Sequence, residues 1–393
     1  MLPAQQYKSI SLKHQTPLRN QWGFLFLYVI YYMSNITESF NQRMFVTPRA
    51  DFANDSQKEL IQLIMKRHGE NYISSIKLID ENDDYDSFLV EILDKGYCVK
   101  ISFDPVPIFY EFMVLKGIEH LQISPYAIDR NEIEFGKTIY YTIQTFEYSD
   151  NLATIGTSSL LQENNSDIFS VLKIIHTYSP PRQIWPHLDN TESYLLYHNT
   201  TFENILQYID ANENSEYQYL KQIYKETFDE MFDYFNQNKN NLTQQKLVHG
   251  NLGSSTIITN SNIFKFINFE NCFVGSPFFD LCNLVFELQM SGMKEYDFIS
   301  KRIKEYELVE NRLKASEFLK EYKICKYIWT RKRFLNILNE YIKEVLVLNK
   351  SRIDKMSRLG HNFSNHFYRF SDIKSFANNK DILVQKFQNL ILN

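Results

Sequence analysis

The sequence predicts an α+β protein of two lobes, a small antiparallel sheet followed by a larger, mainly helical part. Three observations carry this. The chain has 393 residues, too many for one small core and enough for two. Short apolar runs bounded by turn signals cluster between residues 73 and 146, the pattern of strands. Beyond residue 166 the apolar residues recur at helical spacing instead.

Taken in order, residues 56–68 (SQKELIQLIMKRH) form a short amphipathic helix, with Leu60, Ile61, Leu63 and Ile64 on its apolar face and Asp55 or Ser56 as cap. Strands follow at 73–79 and 87–93, and Asp94-Lys95-Gly96 makes a tight turn into a third strand at 97–103. Pro105 and Pro107 end that strand, and a helix runs over 108–120. Two more strands are expected at 133–135 and 138–146, then a polar crossing at 147–151. Helices are expected over 166–178 and 216–236, with a polar, turn-rich stretch at 180–199 between them. Residues 246–269 break the helical pattern with short apolar pieces. Ile324, Tyr327, Ile328, Phe334, Leu335, Leu338, Tyr341, Ile342 and Val345 then mark a packed helix. The boundaries are an N-terminal extension at 1–54, a first lobe at 55–148 and a helical lobe at 149–393.

Apolar content is 44%, charged content 23% and net charge −5. A chain of this balance has no general basic surface for nucleic acid. Cys98, Cys272, Cys282 and Cys325 make no C-x-x-C pair and no zinc spacing. They read as buried, reduced thiols of a cytoplasmic protein. Residues 24–32 (FLFLYVIYY) are an unbroken apolar run of nine, against the roughly 20 that span a bilayer. Lys8, Lys13 and Arg19 precede it as in a signal peptide, but no small-residue cleavage site follows. The run is read as part of a dispensable tail, with Met33 or Met44 as working start. A packed element or a membrane role are the alternatives, and membrane contact is not expected.

The chemistry-bearing segment is 249–281, HGNLGSSTIITNSNIFKFINFENCFVGSPFFDL. It resembles the catalytic segment of the aminoglycoside phosphotransferase/choline kinase-like family, H-G-D-x-x-x-x-N, two short strands, I-D-F/W-E, then G-x-P-x-x-D-L, in order and at matching spacing. Upstream, a strand lysine (Lys100) and a glutamate on the following helix (Glu111) stand where the family has its phosphate-gripping pair. The resemblance covers about residues 55–345 and implies a two-lobed protein kinase-like fold. Phosphoryl transfer is mostly positioning and charge neutralisation. The family uses one carboxylate on the acceptor hydroxyl, a second carboxylate and an amide on Mg²⁺, a lysine on the phosphates, and a glycine-rich loop over them.

At the positions of that chemistry the sequence departs from the family. Asn251 replaces the catalytic aspartate, and an amide is no carboxylate base. Thr256 replaces the metal-binding asparagine, and Asn268 replaces the metal-binding aspartate, although Mg²⁺ prefers anionic oxygens. Glu270 remains as a vestige or a substitute metal ligand. The phosphate loop is expected at 80–86, DENDDYD, which has no glycine and five acidic residues. Each carboxylate would repel a phosphate by about 1 kcal/mol at about 4 Å in bulk water. Asp280 and His249 fit the family's bracing positions rather than catalytic ones. The reading is a degenerate, pseudokinase-like chain with no intact catalytic residue. Lys100 and Glu111 mark a vestigial nucleotide cleft, no cofactor is expected, and a protein partner or larger assembly is. Two alternatives stand beside it: an atypical active small-molecule phosphotransferase using ATP and Mg²⁺ with Glu270, and a nucleotide or metabolite sensor without turnover.

Overall fold

The computed structural model describes residues 54–81, 85–146, 150–151, 165–178, 190–209, 215–242, 245–253, 256–260, 263–290, 315–342, 359–360, 363–364 and 367–392. All of them belong to one compact unit, Phe52–Asn393. The apolar run 24–32 lies outside the described residues.

The first lobe is a five-stranded antiparallel sheet of β1 (Ser75–Glu81), β2 (Asp86–Ile92), β3 (Lys95–Ser102), β4 (Ala127–Glu134) and β5 (Thr138–Thr145), in the order β1-β2-β3-β5-β4. Helix α1 (Asn54–Arg67) lays Leu60, Ile61, Ile64 and Met65 on one face of it. The period-2 geometry of strands sorts the side chains. Phe88, Val90 and Ile92 of β2 and Val99 and Ile101 of β3 enter the α1-side core. Their neighbours Cys98 and Lys100 point to the opposite face. Lys100 pairs in register with Ser87 of β2 and Thr142 of β5, so it stands on the central strand with a neighbour on either side.

The prolines sit differently from the expectation. Strand β3 ends at Ser102, and Pro105 opens helix α2 (Pro105–Ile118) rather than merely closing the strand. Asp104 caps it, its carboxylate accepting from the Val106 N–H at 3.0 Å. A proline costs nothing in the first helical turn, where its missing N–H would have no partner anyway. The helix therefore starts three residues earlier than its apolar spacing indicated, and Glu111 falls on its buried face. The expected loop 80–86 is also tighter: Asp80 and Glu81 pair with Ser87 and Asp86 as ends of β1 and β2. Residues 82–84 of that turn lie outside the described residues. Strand β4 starts at Ala127, six residues before the expected 133.

The second part contains β6 (Asp150–Asn151), α3 (Asn165–Thr177), α4 (Thr191–Ile209), α5 (Ser215–Asn238), β7 (Lys246–Val248), β8 (Ile257–Asn260), β9 (Ile263–Phe266), β10 (Phe273–Gly275), α6 (Phe278–Met290), α7 (Ala315–Tyr341) and α8 (Lys374–Leu392). Short ladders β6-β8-β9 and β7-β10 hold the 249–281 segment. Helix α4 corrects the expected turn-rich stretch at 180–199. Its Thr, Asn, Tyr and His content is poor in intrinsic helix formers, but Asn190 caps it by accepting from the Ser193 N–H at 2.8 Å, and Tyr194, Leu195 and Phe202 are buried. Helix α7 runs nine residues further upstream than the expected start at Ile324, and Val345 lies outside the described residues. Helix α8 was not anticipated; it joins Phe334, Phe363, Phe370, Phe376 and Phe387 in an aromatic cluster. All four cysteines are buried thiols outside any disulfide. Among the described residues no helix is long and apolar enough to cross a membrane.

The Asp104 cap is open to test. Asp104→Ala should lower stability by about 1 kcal/mol, read as a lower urea midpoint at unchanged slope.

Candidate functional site

Lys100 is the centre of the cleft between the sheet and the 249–281 segment. Its ammonium meets the Glu111 carboxylate at 2.6 Å, with both side chains 2% exposed. It donates to Asn268 Oδ1 at 3.2 Å and lies 4.4 Å from the centroid of the Tyr85 ring. Glu111 uses its other oxygen to accept the Phe269 N–H at 3.2 Å. Helix α2 is further tied down by Tyr110, whose hydroxyl donates to the Cys272 carbonyl at 2.6 Å. Burial alone would lower the Lys100 pKa. The Glu111 carboxylate, with Tyr85, Glu270 and Cys98 behind it, overrides that and holds the pKa well above its usual value. Lys100 therefore stays charged wherever the protein is folded.

Asn268 occupies the left-handed region, φ 63° and ψ 63°, which Asn and Asp tolerate better than other side chains. The backbone there accepts either residue, so the amide changes the charge of the position without changing its shape.

The loop after β7 is braced from beneath. Asp280, fully buried at the start of α6, accepts from the His249 N–H at 2.8 Å and the Gly250 N–H at 3.0 Å. His176 of α3 contacts the same carboxylate at 3.0 Å. His249 reaches the Ile267 carbonyl through Nε2 at 2.9 Å, and burial pushes its pKa down against the pull of Asp280. Gly250 has φ +77°, and a Cβ on it would collide with the Asn271 carbonyl. Only glycine fits. Thr256 is buried, its hydroxyl accepting from the Gly253 N–H at 2.9 Å and lying within reach of the Gly253 and Asn251 carbonyls. It closes the loop on itself. Asn251 is exposed, next to this braced turn, and Glu270 is half-buried beside Asn268.

These donors do not fit a Mg²⁺ ion. The Asn268 oxygen is engaged by Lys100, the Thr256 hydroxyl by its own loop, and Asn251 offers only a neutral amide, where Mg²⁺ demands several hard oxygens in a near-ideal octahedron. Among the described residues no group of three His, Cys, Asp or Glu side chains could hold a metal ion.

A second wall of the loop escaped sequence reasoning. Tyr194 of α4 stacks on Phe273, centroids 3.9 Å apart. Its hydroxyl lies 3.4 Å from where a Gly250 Cβ would be and accepts from Lys332 of α7. Among the described residues no carboxylate within ion-pair range joins Lys332, and burial with the nearby Arg333 charge lowers its pKa from 10.5 to about 7. Tyr85 was also missed. It carried a signal, as an aromatic where a phosphate loop would need glycine.

No protein-family model matches the chain, and no curated protein matches it in sequence. Solved structures do match it. An ethanolamine kinase from Plasmodium vivax superposes with TM-score 0.56 at 14% identity, over 75% of this chain and 86% of that one. An aminoglycoside 2′-phosphotransferase-IIIa mutant, in its GDP complex, superposes with TM-score 0.50 at 11% identity, over 79% and 98%. This is the aminoglycoside phosphotransferase/choline kinase-like fold. In that two-lobed α+β frame the five-stranded sheet is the small lobe, and Lys100 and Asn268 face each other across the interlobe cleft.

Two substitutions check the site. Lys100→Met leaves Glu111 buried without its counter-charge and should cost about 3–5 kcal/mol in chemical denaturation. Lys332 gives a pH test. Between pH 7 and 10.5 the unfolded chain holds this proton and the folded chain does not, so stability should rise with pH across that window. Lys332→Met should flatten that rise in melting curves recorded from pH 6.5 to 9.5.

Proposed function

We propose that the chain is a pseudokinase, a phosphotransferase-like fold that has given up phosphoryl transfer and serves as a binding or scaffold module for a protein partner, in the cytoplasm and without a cofactor. One observation carries the reading. The lysine that would grip a nucleotide's phosphates already directs its ammonium at Glu111, Asn268 and the Tyr85 ring. A phosphate would have to displace the Asn268 amide and the ring while leaving Glu111 in place. The two motif positions that would carry carboxylates hold Asn251 and Asn268, and the acidic sequence at 80–86 repels anions. The bracing, by contrast, is complete: Asp280, His249 and Gly250 hold the loop in shape. Two of its structural neighbours are named as an ethanolamine kinase and an aminoglycoside phosphotransferase. What this chain shares with them is the frame, and fold alone does not carry activity.

The deciding experiment is thermal melting with ATP, ADP or GTP, with and without Mg²⁺ or Mn²⁺. A ligand at ~100 times its dissociation constant stabilises by about 2.7 kcal/mol. No shift is expected with any combination. Micromolar nucleotide binding without turnover would move the chain to the sensor reading, and turnover to the atypical phosphotransferase.

The triple variant Asn251→Asp, Thr256→Asn, Asn268→Asp, with folding checked by circular dichroism, should still show no ATPase or kinase activity, because Tyr85 and the acidic turn remain. Activity in that variant would show that the cleft is open to nucleotide after all.

A further inference from the structure

Helix α2 is apolar on nearly every face, PVPIFYEFMVLKGI. Its inner side buries Ile108, Glu111, Val114, Leu115 and Ile118. Phe109, Phe112 and Met113 lie off that side and are only half-buried. A helix of this composition is ordinarily covered all round. Arg130 of β4 stands over the open part. It pairs in register with Thr142 of β5, itself the partner of Lys100, and so shares the sheet face on which α2 lies. Its guanidinium is exposed, 5.4 Å from the centroid of the Phe109 ring and 5.6 Å from that of Phe112. The two phenylalanines are neighbours because they stand three residues apart on the helix. Tyr140 of β5 meets Phe109 edge-on, centroids 5.8 Å apart. Among the described residues Arg130 makes no hydrogen bond and no ion pair. The nearby acids are spent elsewhere or out of reach. Asp129 turns to His68 at 3.0 Å, and Glu119 takes Lys116 at 3.2 Å. Glu132, two residues on along the same strand face, is not within ion-pair range.

Two aromatic rings beside a guanidinium hold it in place by cation–π attraction. Its N–H groups remain free, and their fork matches a carboxylate through two parallel hydrogen bonds. Little side-chain freedom is then left to lose on binding. The chain as a whole carries −5, so this cation belongs to no general basic surface for polyanions. A carboxylate alone would satisfy Arg130 and leave the rings uncovered. An apolar side chain alone would cover the rings and strand the guanidinium. We propose that the Arg130–Phe109–Phe112 surface is a docking site for a partner protein, through a segment that carries an aspartate or glutamate beside a bulky apolar side chain. This names the partner surface of the pseudokinase reading and rests on that reading. The same helix carries Glu111 and Tyr110 on its other sides, so the partner sits on the outside of the element that closes the Lys100 cluster.

The probe is an array of short synthetic peptides in which glutamates flank a phenylalanine or leucine, with a matched set carrying lysine for glutamate. The labelled full chain is bound to the array, and the strongest acidic peptide is then titrated by fluorescence anisotropy. The acidic set should bind and the lysine set should not. Arg130→Gln, an exposed change on an edge strand, should weaken the chosen peptide by about tenfold or more, the loss of a charge-assisted pair. Arg130→Lys keeps the charge without the fork and should fall between. Serine in place of the peptide's apolar residue should weaken binding too. Lys95→Gln, which removes the same charge at the distant β2–β3 turn, should change nothing. The proposal is overturned if no acidic peptide binds better than its lysine counterpart, if wild type and Arg130→Gln bind alike, or if Lys95→Gln weakens binding as much. Phosphatidylcholine vesicles containing phosphatidylserine test the rival occupant: Arg130-dependent sedimentation with them, without peptide binding, overturns the assignment to a protein. The assay contains no nucleotide, so its failure leaves the loss of phosphoryl transfer standing, and nucleotide binding at Lys100 would leave the peptide result standing.

Discussion

A lysine ammonium taken out of water must be met by charge and by acceptors, or the fold cannot keep it. Lys100 is 1% exposed, and the cleft is organised around meeting that demand. The register of β3 between β2 and β5 fixes where the ammonium points. The Asp104 cap and Pro105 fix where α2 begins, and hence where Glu111 falls. Glu111 then ties both ends together, one oxygen on Lys100 and the other on the Phe269 N–H. Asn268 completes the set from the far side. Sheet, helix and the 249–281 segment are therefore held by a single buried cluster, and removing any member strands the others.

Beneath that cluster the loop is kept by geometry that has nothing to do with charge transfer. Asp280 collects two backbone N–H groups and a histidine, Gly250 passes under the Asn271 carbonyl where no side chain fits, and Thr256 folds its hydroxyl back on its own turn. Asn268 keeps a left-handed backbone that an aspartate would also keep. The positions that shape the loop retain the residue types that shape requires. The positions where the resemblance expects a base and a metal-binding carboxylate, Asn251 and Asn268, carry neutral amides.

Much of this was legible in the sequence, for physical reasons that differ by element. The β2–β3 hairpin was legible because both strands are strongly apolar, but its turn is Leu93-Asp94 rather than the expected Asp94-Lys95-Gly96: Lys95 and Gly96 already pair with Ile92 and Glu91 in the ladder. The placement of Lys100 and Glu111 came from the resemblance, since composition alone would leave both as surface charges. Strand β4 was read too short because it is an edge strand: in Ala127–Glu134 only Ala127 and Ile133 are buried, so little alternation marks it. Helix α4 was missed because local propensity runs against it and tertiary burial of Tyr194, Leu195 and Phe202 overrides that. Phe376, Leu383, Phe387 and Leu390 show helical spacing for α8, although the resemblance ends near residue 345 and says nothing of this helix. Contacts made by residues distant in sequence, such as Tyr85 on Lys100 or Lys332 on Tyr194, leave no periodic trace at all.

The bond between Lys100 and Asn268 has a consequence for association. Enzymes that close a cleft on substrate keep their two sides free to move, and binding must then freeze that motion. Here the sides are already joined by buried and part-buried hydrogen bonds at Lys100, Glu111 and Tyr110. A partner spanning both would meet a surface set in advance, with little ordering entropy left to lose. Its association rate would be governed by diffusion and orientation rather than by waiting for a conformational change.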